Sequence, residues 1–142
     1  MSPREHLLFF RQGDTLIPRN DMPLKISKRE NGDVVIVDIS GRLVYGDDTS
    51  LLRSEVKEIF EDGGPQVVLN LSDVPYVDSG GIGTLVGLYT SAKNAGGDLK
   101  LACPSERVNH ALEITKLIPV IGVYSDESDA LAALREAKPG NA

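Results

Sequence analysis

Tryptophan is absent, cysteine occurs once and histidine twice in this chain of 142 residues. The lone Cys103 excludes an intrachain disulfide framework and a cysteine-cluster metal site, and makes a reducing cytoplasm the simplest compartment. His6 and His110 are too few for a transition-metal centre of the usual histidine and cysteine type, so no metal is expected. Long apolar runs are missing too. Near the N-terminus the longest is Leu7-Leu8-Phe9-Phe10, far short of a signal-peptide core or a membrane span. Basic charge is in deficit, with 15 Lys and Arg against 21 Asp and Glu and a net charge of −6. Direct nucleic-acid binding, which needs clustered cations to displace counterions, is therefore not expected. Such a balance suits a soluble protein that meets a basic partner surface.

The chain is of one-domain length, enough to bury about two thirds of its unfolded surface. Residues 1–21 read as a mixed-charge tail, open to flexibility, with "LLFF" able to add a short strand or serve as an exposed motif. Residues 22–142 read as the domain. "LKISKRE" and "DVVIVDI" flank Asn31-Gly32 as a hairpin. Asp47, Asp48 and Thr49 are cap candidates for a helix carrying Leu52, Val56, Ile59 and Phe60, stopped by Gly63-Gly64-Pro65. "QVVLNL" and "DLKLAC" read as buried strands. Ser105 and Glu106 open a helix with Val108, Ala111, Leu112 and Thr115 on one side. Pro119 precedes a short strand "VIGVY", and Ser128 caps a last helix through Ala137. The order β-β-α-β-α-β-α-β-α predicts a single α/β domain, a small mixed sheet flanked by about four helices.

Between the two buried strands lies "YVDSGGIGTLVGLYT", where glycines interrupt a helical pattern at about 1 kcal/mol each relative to alanine. A wheel of about 100° per residue gathers Ile82, Leu85, Val86, Tyr89 and Ala92 as a core stripe. The opposite side holds Gly80, Thr84, Gly87 and Ser91, bordered by Ser79, Gly83 and Thr90. Two readings stand. Either the glycines allow close packing within the chain, or they keep an outer face flat for a partner's backbone. Ser79 likewise reads either as an N-cap or as an exposed phosphate acceptor near free amides and the positive end of the helix dipole.

Catalytic readings are weaker. The stretch from Gly81 begins G-x-G but puts Val86 where a dinucleotide fingerprint needs a small residue, and no Lys-Ser or Lys-Thr completes a phosphate loop. "VDSGG" lacks the first glycine of a hydrolase nucleophile elbow. A hydrolase acting through Ser79 needs a histidine base beside it. No cofactor and no catalytic residue is assigned, and the chain reads as a binding protein rather than an enzyme.

The segment "VVLNLSDVPYVDSGGIGTLVGLYTSAKNAGGDLKLACPSERVNHALEITKL" resembles the STAS-domain family of bacterial anti-sigma factor antagonists, from about Leu24 to the last helix. The aspartate–serine–glycine block, "GG-DLKL" and "ITKL" carry the likeness together. The resemblance implies a cytoplasmic regulator that captures an anti-sigma factor serine kinase, is phosphorylated by it in the Asp-Ser block, and is restored by a serine phosphatase. On that basis Ser79 is the acceptor, and Asp78, Ser79, Gly80, Gly81, Gly83, Thr84, Gly87 and Ser91 form the partner surface. A homodimer stays open. Two departures stand out. Gly80 replaces the second hydroxyl residue of many members, so within the block only Ser79 can accept phosphate. Val44 stands where an aspartate is common, which leaves Asp47 or Asp48 to supply a carboxylate near Ser79. The alternative is an unphosphorylated STAS scaffold or a ligand- or nucleotide-sensing module.

Overall fold

A computed structural model describes residues 9–12, 15–18, 24–63 and 66–136. β1 (Phe9–Gln12) and β2 (Thr15–Pro18) pair antiparallel as a small separate hairpin within the tail, so "LLFF" does feed a strand through its two phenylalanines. Leu7 and Leu8 lie outside the described residues, as do Ala137, Gly64 and Pro65.

The domain's sheet comprises β3 (Lys25–Asn31), β4 (Val34–Ser40), β5 (Gln66–Asp73), β6 (Asp98–Ala102) and β7 (Val123–Tyr124), in that spatial order. β3 and β4 are antiparallel and close at Asn31 opposite Val34, so the turn residues are Gly32 and Asp33. The other pairs are parallel. Each crossover from β4 onward steps one strand in the same direction. Right-handed connections then place the intervening helices on one face. Those helices are α1 (Asp47–Glu61), α2 (Ser79–Asn94), α3 (Glu106–Ile114) and the single turn α4 (Ile118–Ile121), and one core cluster takes residues from all four. The terminal helix α5 (Glu127–Glu136) has no following strand to reach and covers the opposite face.

Strand patterning follows this two-sided cover. Val67, Leu69 and Leu71 of β5 join Leu52, Val56, Leu85 and Leu112 in the larger core, while Val68 turns with Val34 and Ile36 toward Leu131 and Leu134. Continuous apolar runs are what a strand buried on both faces requires. β3, the edge strand, is exposed along most of its length.

Three local expectations are corrected. The predicted strand "VIGVY" is strand only at Val123–Tyr124, because Val120 and Ile121 complete α4. Pro119 sits in the first turn of that helix, where a missing N–H removes no hydrogen bond. The last helix is capped by Asp126, not Ser128: the Asp126 carboxylate accepts from the Asp129 amide at 2.9 Å and from the Ser128 hydroxyl at 2.9 Å. α1 starts from Gly46, whose N–H donates to the Thr49 hydroxyl at 3.1 Å while that hydroxyl donates to the Gly46 carbonyl at 2.9 Å.

On the α5 face a polar cluster ties the edge strand to the fold. Arg29 bridges Asp38 at 2.5 Å and Glu127 at 2.6 Å, and Asn70 donates to Glu127 at 3.0 Å. The hydrogen bond from Arg29 holds the Glu127 carboxyl below its ordinary value of 4.5, against partial desolvation. A depressed folded-state value adds stability that is present above the unfolded value and is lost as pH falls through the folded one. Glu127→Gln should therefore cost about 1 kcal/mol or less at neutral pH, since the cluster is partly solvated. Its stability relative to wild type should recover as pH is lowered below about 4.5. Urea titrations at stepped pH read this directly, and a pH-independent difference would show that the charge of Glu127 is irrelevant.

Candidate functional site

The loops leaving β4 and β5 are stitched together. Gly41 N–H donates to the Asp73 carbonyl at 3.0 Å, Leu43 N–H to the Tyr76 carbonyl at 3.0 Å, and Asp78 N–H to the Leu43 carbonyl at 3.3 Å. An isolated parallel bridge joins Leu43 to Val77, and Leu43, Val74 and Val77 are buried beneath it. α2 springs from this seam.

Asp78 is the N-cap. Its carboxylate accepts from the Gly81 amide at 2.8 Å and from the Tyr45 amide at 3.2 and 3.1 Å. One side chain thus satisfies an orphan donor of α2 and anchors the β4–α1 loop across from it. Ser79, expected as one reading to cap the helix, is instead its exposed first residue, with a hydroxyl that the helix start does not use. Of the two carboxylates expected near Ser79, Asp48 accepts from the Leu24 amide at 3.2 Å, no hydrogen bond among the described residues joins Asp47 or Asp48 to Ser79, and Asp78 itself closes onto the loop.

The buried arc of α2 is rotated from the expected one. Gly81, Thr84, Leu85, Leu88 and Ala92 are buried, while Ile82, Val86 and Tyr89 are only half-buried at the border. The helix packs against α1 as well as the sheet, so its hidden side faces between the two. Thr84 belongs to that side. It is 2% exposed, donates to the Gly80 carbonyl at 2.9 Å and accepts from the Arg53 guanidinium at 3.1 Å.

The glycines divide into two kinds. A Cβ on Gly81 would collide with the Leu43 carbonyl oxygen, and one on Gly80 would lie 2.5 Å from the Tyr45 Cβ and 3.1 Å from its Cα. These two are small because the chain's own loop lies against them. Gly83 and Gly87 meet nothing within 4 Å. They are exposed, with Ser79, Thr90 and Ser91, and so belong to the outer face. Of the expected partner surface, the fold places Ser79, Gly83, Gly87 and Ser91 outside. Asp78 and Gly80 lie half-buried at the seam, and Gly81 and Thr84 lie inside. Tyr45, which the sequence reading did not single out, is 82% exposed beside Gly80. Its only available signal was an aromatic directly after Val44.

Residues 25–130 match the STAS domain family. The chain belongs to that family. An anti-sigma-B factor antagonist of Bacillus subtilis is 33% identical over 103 residues, covering 72% of this chain and 92% of the relative. An anti-sigma F factor antagonist of Paenibacillus polymyxa is 26% identical over 114 residues, covering 80% of this chain and 97% of the relative. Among solved structures, a Thermotoga maritima protein provisionally assigned as an anti-sigma factor antagonist superposes with a TM-score of 0.72 at 29% identity, covering 78% of this chain and 94% of that one. The STAS fold accounts for the mixed sheet and for the five helices among the described residues, one more than the expected four because the single turn α4 is added.

Among the described residues no group of three or more His, Cys, Asp or Glu side chains is placed to hold a metal ion. No helix among them is long and apolar enough to cross a membrane. His110 lies on the exposed side of α3 with Glu106, Arg107, Asn109 and Glu113, and no hydrogen bond among the described residues joins it to Ser79. His6 lies outside the described residues.

Proposed function

We infer that this STAS protein is an anti-sigma factor antagonist. It captures an anti-sigma factor serine kinase through the outer face of α2 and is released when Ser79 is phosphorylated. The observation that carries the reading is the division of labour at the helix start: Asp78 caps, which leaves the Ser79 hydroxyl exposed and dispensable to the fold. Gly83 and Gly87 continue the exposed face from Ser79 with no side chain to hold a partner's backbone away. The relatives named for anti-sigma antagonism support an anti-sigma factor as the partner.

The Ser79 oxygen attacks the γ-phosphorus of ATP in the kinase, forming the phosphoserine and releasing ADP, with the hydroxyl proton passing to a base of the kinase. The new dianion lies at the positive end of the α2 dipole, so the fold tolerates it. It also adds charge beside the Asp78 carboxylate at the mouth of the docking face, where a partner would have to desolvate it. A serine phosphatase returns the chain to its binding form. The setting is the cytoplasm, where the kinase and ATP are found.

The test mixes the protein with recombinant anti-sigma factor kinases from its own genome and ATP, then maps phosphate by mass spectrometry. Ser79 should carry it, and Ser79→Ala should block uptake while retaining capture. Phosphate confined to other residues would end the assignment. Capture without any phosphorylation would favour the alternative of an unphosphorylated STAS scaffold.

A further inference from the structure

Arg42, Tyr76 and Arg107 come from three separate elements, the β4–α1 loop, the β5–α2 loop and the first turn of α3, yet meet at one ring. Each guanidinium carbon stands 5.0 Å from the centroid of Tyr76. The geometry points to an acidic-segment recognition site, in which Tyr76 holds the two arginines ready for carboxylates of the captured protein. The identity of that protein rests on the reading above; the acid-binding chemistry of the cluster does not.

The cluster is held in place before anything binds. Arg42 is flanked by the two seam bonds from Gly41 to Asp73 and from Leu43 to Tyr76, both 3.0 Å. Ser105, which caps α3 through the Val108 amide at 3.2 Å, also donates to the Val74 carbonyl at 3.4 Å and so fixes the turn bearing Arg107 against the same loop. A guanidinium stacked on an aromatic face keeps its N–H edge free, and that edge matches a carboxylate bidentately. Among the described residues no carboxylate forms an ion pair with Arg42 or Arg107, whereas Arg29 is doubly paired. In a chain of net charge −6, these are two cations at one corner with no carboxylate paired to either among the described residues.

Its position suits a protein partner rather than a free anion. Tyr76 precedes Ser79 by three residues, at most about 11 Å of chain. A body resting on the outer face of α2 and against Ser79 therefore reaches the cluster. Paired charges at that distance from a docking face set register and association rate more than bulk affinity.

Two probes decide the matter. A hexaglutamate peptide should shift the guanidinium Nε–H resonances of Arg42 and Arg107 in NMR spectra of the full chain, and inorganic phosphate should shift them less. The kinase captured by the wild type should bind Arg42→Gln/Arg107→Gln about tenfold more weakly, with a flattened salt dependence. Tyr76→Phe should keep the affinity, Tyr76→Leu should lower it, and the remote charge control Lys57→Gln/Arg135→Gln should leave it unchanged. Phosphate shifting the arginine signals more than the peptide does would overturn the proposal, as would a double variant with wild-type affinity and salt slope. Failure of the wild type to capture any kinase would defeat the functional reading alone, since the peptide titration still decides the cluster.

Discussion

Gly81→Ala should destabilise the protein by about 1–3 kcal/mol, although the same change in an exposed helix is favourable by about 1 kcal/mol. The added methyl meets the Leu43 carbonyl oxygen, with the Leu43 carbonyl carbon and Cγ both 3.2 Å away. That backbone has nowhere to go. Leu43 is fully buried, its N–H donates to Tyr76, and its carbonyl accepts from Asp78. Relief would require parting the two loops, which also carries off the Tyr45 amide from the Asp78 carboxylate. Gly87→Ala should have the opposite sign. Its Cβ enters open space, so the helix should gain about 0.5–1 kcal/mol. At this size each kcal/mol moves Tm by about 2–4 °C, so calorimetry should separate the two variants on either side of wild type. A Gly81→Ala protein as stable as wild type would mean that the seam is loosely packed. If Gly87→Ala melts higher yet captures the kinase less well, the smallness of that residue serves docking rather than folding.

Those opposite signs also show where the sequence was legible. The β-branched runs at Val34–Val37 and Val67–Leu69, the Asn31-Gly32 signal and the Leu52, Val56, Ile59 spacing each reflect local preferences that agree with the fold, and all of these elements form. α2 was harder because hydrophobicity marks only part of its buried side. Gly81 and Thr84 look like surface residues, but one hides by having no side chain and the other by having its hydroxyl satisfied within the helix and by Arg53. The spacing Gly81, Thr84, Leu85, Leu88, Ala92 is itself a helical stripe once small residues are admitted as packing residues. The serine caps failed for a single reason. At Asp78-Ser79 and in Asp126-Glu127-Ser128 an aspartate stands earlier and takes the amide, whereas Ser105 has no acid just before it and caps as expected.

The departure at Gly80 gains a physical cause from the same contacts. A side chain there would run into Tyr45, whose backbone Asp78 holds in place. The closest contact, 2.5 Å, is to the Tyr45 Cβ, with its Cα at 3.1 Å, so the approach of the β4–α1 loop itself leaves no room for a second hydroxyl in the block. The exposed Tyr45 side chain stands beside the proposed acceptor and is of a type enriched among binding hot spots.

Ser79→Asp should weaken kinase capture by about a hundredfold or more while leaving Tm close to wild type. The two halves of that expectation come from separate features. Stability is spared because the N-cap belongs to Asp78, and an acidic residue in the first turn of a helix is favourable by about 0.3–1 kcal/mol, offsetting repulsion between neighbouring carboxylates. Binding is lost because a partner seated on Gly83 and Gly87 would bury the new carboxylate against it, and an unpaired desolvated charge costs several kcal/mol, where 2.7 kcal/mol is about a hundredfold. Ser79→Ala isolates the charge from the lost hydroxyl and should bind nearly as wild type. Isothermal titration with the kinase alongside calorimetry of the free variants gives both readouts. A Ser79→Asp protein that binds normally would remove the switch from this serine, and one that fails to fold would show that the helix start depends on its hydroxyl after all.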